Sequence, residues 1–285
     1  MRKMRLGLSF VVAAVSFLLL VACGDDDSDF ATRPSDGSPS SSVTQQSGSS
    51  VKSSSSVASS SSEKAVSSSS KVSVPVEVTT GTMTDSRDGQ TYKTVTIGTQ
   101  TWMAENLNYE MDSSFCYNDS AKYCAKYGRL YTWAAAMDSV GTWSANGKGC
   151  GFEKTCSPTY PVRGICPDGW HLPTKAEFET LFTAVGGESI AGQKLKSTSG
   201  WNDYRGESGN GTDAFAFSAL PAGYRYYYGY CCYEGSKAYF WSSTESNRSY
   251  AYGMDLYYDN DNAYLGNSGK GYGFSVRCLK DAQAE

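Results

Sequence analysis

Histidine is nearly missing from this chain: one residue, His171, stands among 285. With a single imidazole, general acid–base work would fall to carboxylates, and no spaced pair of carboxylates stands out. No C-x-x-C pair occurs, so a tetrahedral zinc site lacks its usual ligand spacing. A G-x-S-x-G nucleophile turn and a phosphate-cradling glycine loop are also missing. Basic residues are in slight deficit, 25 Lys and Arg against 29 Asp and Glu. They are scattered and form no stripe, which removes the electrostatic case for nucleic acid. Regular βα alternation is lacking, which argues against a parallel sheet. No fixed-period repeat is found, which argues against a solenoid or propeller.

What is there begins at the N-terminus. Arg2, Lys3 and Arg5 form a basic start, and Leu6 to Val21 form a nearly unbroken apolar run. The run is short for a transmembrane anchor, and no basic stop-transfer cluster follows it, so residues 1–22 read as a secretory signal. Leu20-Val21-Ala22-Cys23 resembles the bacterial lipobox, in which the cysteine is lipidated and becomes the mature N-terminus. Several acyl chains together hold a protein on a membrane where one binds reversibly. Gly24-Asp25-Asp26-Asp27 follows at once and, by resemblance to sorting signals, points to an outer-membrane lipoprotein on the cell surface, with a periplasm-facing orientation as the alternative.

Residues 23–84 read as a tether. The stretch from Ser38 to Val74 has no aromatic residue and no apolar periodicity, so it cannot bury enough surface to offset the entropy of ordering. A flexible coil of about sixty residues reaches roughly 45 Å, from about 5–6 Å × √n. Residues 85–281 are rich in Tyr, Trp and Gly and suit one domain with a good-sized core. Residues 282–285 form a tail.

Nine cysteines less Cys23 leave eight, an even number in an exported chain, which reads as disulfides. Eight allow about 105 pairings, so counting alone does not settle connectivity. Cys116 and Cys124 bracket a short segment, as do Cys150 and Cys156. Cys166 with Cys278 would tie the ends of the second half together. Cys231 and Cys232 are then left over, as a vicinal disulfide or in some rearrangement with the others.

Three elements are legible from pattern. Residues 91–103 alternate around Gly98-Thr99 and predict a hairpin. Leu130, Trp133, Ala134 and Met137 fall at helical spacing, so residues 128–140 predict a short helix. The third is the sharpest. Thr174 and Glu177 form a capping box after Pro173. Phe178, Leu181, Phe182 and Val185 make an apolar stripe, and Gly186-Gly187 ends the helix. Residues 213–226, 238–246, 250–258 and 272–279 look like strands between turns. The sum predicts an α+β domain with an antiparallel sheet packed on two helices.

Five phrases are familiar in order: "DGQTYKTVTIGTQTWMAENLNY", "CPDGWHLPTKAEFETLF", "FSALPAGYR", "YFWSSTES" and "GFSVRCLK". They resemble the Fibrobacter succinogenes major paralogous domain and span nearly all of the globular part. "GWHLPTKAEFE" and the terminal "GFSVRC" also resemble the formylglycine-generating branch of the C-type-lectin-like fold. The resemblance implies a twisted antiparallel sheet with two helices and long irregular loops, stabilised by disulfides. It implies a surface-associated lipoprotein and carries no catalytic residues with it.

The chemical candidates are few. Trp201-Asn202-Asp203 matches a triplet used by calcium-dependent lectins, but it lies mid-domain, where a buried Trp and a turn explain it better. Asp255, Asp259 and Asp261 place oxygens at alternating positions that suit calcium. The full EF-hand pattern is absent, so a hairpin turn is favoured over any metal. Tyr226, Tyr227, Tyr228 and Tyr230 concentrate in one stretch; such rings are either half buried with wet hydroxyls or exposed for stacking on sugars. The leading expectation is a non-catalytic binding module, lipid-anchored to the membrane, for polysaccharide or a surface protein. A structural display component of the envelope is the alternative. A formylglycine-generating enzyme, which needs reactive thiols, is the remote one.

Overall fold

The computed structural model describes residues 78–282; the leader, Cys23 and most of the serine-rich stretch lie outside the described residues. The first described element is a strand, β1 (Val78–Thr84), within the segment expected to be tether. It pairs antiparallel with β2 (Thr91–Ile97), from Val78 opposite Ile97 to Thr84 opposite Thr91. Its β-branched residues suit a strand. Nearly all of them are exposed, so no apolar alternation marked the strand in the sequence. β3 (Gln100–Met103) completes the hairpin through Gly98, whose positive φ of 61° the turn requires.

A small hairpin follows, β4 (Ser114–Phe115) with β5 (Leu130–Tyr131), and encloses α1 (Ala121–Tyr127). The helix expected over 128–140 shrinks to one turn, α2 (Trp133–Ala136). Leu130 and Tyr131 are taken by the ladder. Asp138 then stops the helix: it sits at φ 54°, and its carboxylate accepts the amides of Thr142, Trp143 and Ser144 at 2.9, 2.6 and 3.0 Å. An aspartate that gathers backbone N–H groups competes with helix continuation.

After a long loop come β6 (Trp170–His171) and α3 (Lys175–Val185). The capping box is complete: Glu177 N–H donates to Thr174 Oγ1 (3.2 Å), and Thr174 N–H donates to Glu177 Oε2 (2.7 Å). Phe178, Leu181, Phe182 and Val185 are all buried, each burial contributing about 1.5–3 kcal/mol before entropy. α4 (Glu188–Leu195) follows directly. The domain therefore has four helices among the described residues, not two; α1 and α4 were masked by sparse apolar periodicity.

β7 (Asp203–Tyr204) and β8 (Glu207–Ser208) form an exposed hairpin. Residues 213–223, expected to be mostly strand, instead form a turn and a loop. Asp213 accepts from Ser218 N–H at 2.7 Å, and Asp213, Ala216 and Ser218 all adopt positive φ. β9 (Tyr224–Arg225) pairs with β10 (Cys231–Cys232). β11 (Lys237–Glu245), β12 (Tyr250–Tyr257) and β13 (Ala263–Gly269) form an antiparallel meander, and β14 (Leu279–Lys280) is the last of the described strands.

The larger sheet has the order β1-β2-β3-β14-β6. α3 packs between it and the meander. Trp102 of β3 stacks on Phe178 at 5.2 Å and meets Phe217 edge-on at 6.0 Å. A second core lies beyond, around Trp133, Trp241 and Phe274. Among the described residues, disulfides join Cys116 to Cys124, Cys150 to Cys156, and Cys166 to Cys278.

Candidate functional site

The β9–β10 hairpin carries the tyrosine-rich stretch at its tip. Its turn is closed by Tyr226 N–H donating to the Tyr230 carbonyl and Gly229 N–H donating to the Tyr226 carbonyl, both at 2.8 Å. The base is pinned to the body of the domain. Arg225 and Gly273 exchange both backbone hydrogen bonds, at 3.0 and 2.7 Å. Gly229 adopts φ 103°, a conformation that a residue with a Cβ rarely accepts.

From this base an aromatic column rises out of the core. Trp241 stacks on Phe274 at 4.2 Å, and Phe274 stacks on Tyr239 at 4.7 Å. Tyr224 meets Tyr239 edge-on at 5.4 Å and stacks on Tyr272 at 5.5 Å. Tyr272 in turn lies 5.0 Å from Tyr226 and parallel to Tyr227 at 6.0 Å. Tyr226 stacks on Tyr230 at 4.9 Å, and Tyr227 lies 4.0 Å from Tyr228. Exposure rises along the column: Tyr226 is half-buried, Tyr227 is 50% exposed and Tyr228 is 74% exposed. Tyr230 is also an exposed ring. The buried end holds the rings in place, and the exposed end presents their faces and edges to water. Both phenols are lifted above the usual range, Tyr228 chiefly by its hydrogen bond with Tyr227, so both are neutral at physiological pH. For Tyr227 the bond with Tyr228 pulls down, while the bond with Tyr226 and the remaining contacts outweigh it.

The remaining sequence candidates do not assemble into a site. Asp255, Asp259 and Asp261 are the calcium candidates of the sequence. Asp255 is buried inside β12, whereas Asp259 and Asp261 are exposed in the turn that follows, so the set does not converge. Alternation along a strand pointed one carboxylate inward. No group of three His, Cys, Asp or Glu converges among the described residues. Trp201 is buried, and its indole N–H donates to Ser197 Oγ and the Ala219 carbonyl, both at 3.1 Å. Asn202 donates to Ser236 Oγ instead. His171 is buried between Asp281 (2.6 Å) and Glu177 (3.1 Å), where it links β6 to the start of α3. Cys231 is half-buried and accepts from Asn118 N–H at 3.2 Å; Cys232 is buried. Cys23 lies outside the described residues.

A concavity of about 450 Å³ opens elsewhere, lined by Arg87, Asn108, Tyr109, Glu110 and Arg129 among others. Its two arginines are answered internally, Arg87 by Asp85 at 2.6 Å and Arg129 by Glu110 at 2.8 Å. Sequence reading passed over Arg225, which sits over Phe115 with its guanidinium carbon 3.8 Å from the ring centre. Nothing in its sequence context marks that contact, which a residue far earlier in the chain supplies.

These features define a disulfide-tied, mostly β domain of the α+β class that displays an aromatic hairpin tip. Residues 95–280 match the Fibrobacter succinogenes major domain, well over half of the chain, and the chain belongs to that family. No curated protein and no solved structure matches it.

Proposed function

We propose that this chain is a lipid-anchored surface protein whose folded domain is a non-catalytic binding module, with the β9–β10 tip as a platform for carbohydrate. Residues 1–22 are the signal peptide and Cys23 the lipidated residue. The serine-rich tether lifts a C-type-lectin-like domain clear of the outer membrane, and 282–285 are a tail. One observation carries the binding reading: Tyr227, Tyr228 and Tyr230 are exposed while their neighbours Tyr226, Tyr224 and Tyr272 anchor them to the core. Rigid, amphipathic rings match the apolar faces and polar edges of sugars at little entropic cost.

The test is Tyr227→Ala with Tyr228→Ala in the full-length protein, solubilised in detergent and applied to insoluble polysaccharide. Retention should weaken while the melting temperature barely moves. Exposed substitutions alter stability by only about 0.5 kcal/mol, whereas truncating buried aromatics costs roughly 3–5 kcal/mol. A stable variant retained as strongly as wild type would overturn the platform and favour a display role in the envelope.

A further inference from the structure

The arginines of the described residues mostly find acceptors within the chain. Arg163 pairs with Asp168 at 3.3 Å and Arg248 with Glu153 at 3.0 Å, as Arg87 and Arg129 pair with their own carboxylates. Arg277, fully buried, donates to Asn106 Oδ1 and to the carbonyls of Phe217 and Ser218. Arg205 has no carboxylate but sits in an exposed turn against Tyr204, where water solvates it.

Arg225 is different. It is half-buried, its Nε is enclosed with no acceptor, and among the described residues no carboxylate pairs with it and neither Nη donates a hydrogen bond. Its position is nevertheless fixed. The backbone is locked to Gly273, and the guanidinium carbon sits over the Phe115 ring. The tyrosine turn is also close: a Cβ on Gly229 would come within 3.1 Å of Arg225 Nη2. A glycine there lets the turn close directly over the guanidinium. The same turn carries Tyr227 and Tyr228. A half-desolvated cation with unfilled donors is costly to hold. A planar guanidinium is also the side chain best suited to accept a carboxylate or sulfate through two parallel hydrogen bonds.

We infer that the saccharide bound at this tip is acidic, its anionic group held by Arg225 while the adjoining sugar ring stacks on Tyr227 and Tyr228. The inference rests on the platform reading and narrows it to one ligand chemistry, a carboxylate or sulfate ester on a polysaccharide. The chain as a whole is acidic, with a net charge of −4, so a preference for an acidic polymer must come from a local cation.

The experiment is affinity electrophoresis of the full-length protein in detergent, in gels containing three polymers on one β-glucan backbone. Hydroxyethylcellulose is neutral, carboxymethylcellulose carries carboxylates and cellulose sulfate carries sulfate esters. The wild type should be retarded at about tenfold lower concentration of one acidic polymer than of the neutral one, as expected for one charge-assisted pair. Which acidic polymer wins identifies the anionic group. High salt should abolish the difference. Arg225→Gln should lose the preference and keep the retardation by the neutral polymer; Arg225→Met, which keeps the stem against Phe115, should do the same. Tyr227→Ala with Tyr228→Ala should lose both. Equal retardation by all three polymers, or an acidic preference that survives in Arg225→Gln, would overturn the inference and leave the platform standing. No retardation by any polymer would overturn both. If neither Arg225 variant folds, the wild-type salt series decides: a preference that does not fall with salt overturns the inference.

Discussion

Replacing Asp255 with Asn should change how stability depends on pH. Asp255 sits in β12, opposite Tyr239 of β11 and Tyr264 of β13, and is 1% exposed. Its Oδ2 has no hydrogen-bond donor. Burial raises the carboxyl well above the usual range, and the charge of Lys237 only partly opposes that. The folded protein therefore keeps a proton that the unfolded chain releases near pH 3.9. A group raised on folding contributes its stability below the unfolded value and loses it as pH rises. Between the two values the folded state binds more protons, so stability falls by about 1.4 kcal/mol per pH unit. Asparagine has nearly the same shape and does not titrate, so this slope should vanish in the variant. The assay is urea denaturation of wild type and Asp255→Asn from pH 4.5 to 7, with the difference in unfolding free energy read at each pH. The variant should gain relative to wild type by up to about 1.4 kcal/mol for each unit that lies below the folded pKa of Asp255. A difference that stays constant across the series would refute the reasoning, because it would mean that Asp255 ionises in the folded protein as easily as in the unfolded chain.

His171 should show a different window. Burial alone pulls its pKa down, but hydrogen bonds to Glu177 and Asp281 more than offset this and leave it raised. Burial likewise pushes Glu177 up, but His171 and the Thr174 cap bring it below the usual range. The His171 contribution is therefore complete below about pH 6.5 and is lost as pH climbs through the folded value; that of Glu177 is present above about pH 4.3 and is lost on acidification. Melting temperatures of His171→Asn should fall furthest below wild type between those limits and converge above them; a deficit that widens at alkaline pH would contradict this. The disulfides should rank by the loops they close. Cys166–Cys278 spans 112 residues and Cys116–Cys124 spans 8, so replacing each pair by Ala should cost about 5 and about 2.5 kcal/mol in the chain-entropy picture. Equal losses in urea denaturation would show that loop closure is not the controlling quantity. At the N-terminus, Cys23→Ala should abolish incorporation of a palmitate analogue; labelling equal to wild type would remove the lipid anchor from the proposal.

Local signals were readable in proportion to how local their cause is. The capping box at Thr174 and Glu177, the stripe from Phe178 to Val185 and the turn at Gly98 depend on neighbours a few residues away, and all are plain in the chain. β1 was not, because its exposed threonines carry no alternation; its strand state comes from pairing with β2. The helix expected at 128–140 is cut to Trp133–Ala136 because Leu130 and Tyr131 are claimed by β4 and by Phe274, contacts that no periodicity records. The strand expected from Asp213 gives way to a turn and a loop, where the Asp213 carboxylate accepts from Ser218 N–H.

By itself, the sequence determined the low-complexity stretch, the α+β composition, one helix with both ends and the aromatic richness of residues 224–230. Those follow from composition and short-range spacing. Only the tertiary structure decided which tyrosines are anchored and which are exposed, why Asp255 parts from Asp259 and Asp261, and that Arg225 lies close to Phe115 and Gly229 without a carboxylate. Each depends on residues far apart in the chain being brought together, and burial, ring stacking and charge pairing are properties of that assembly and not of any one segment.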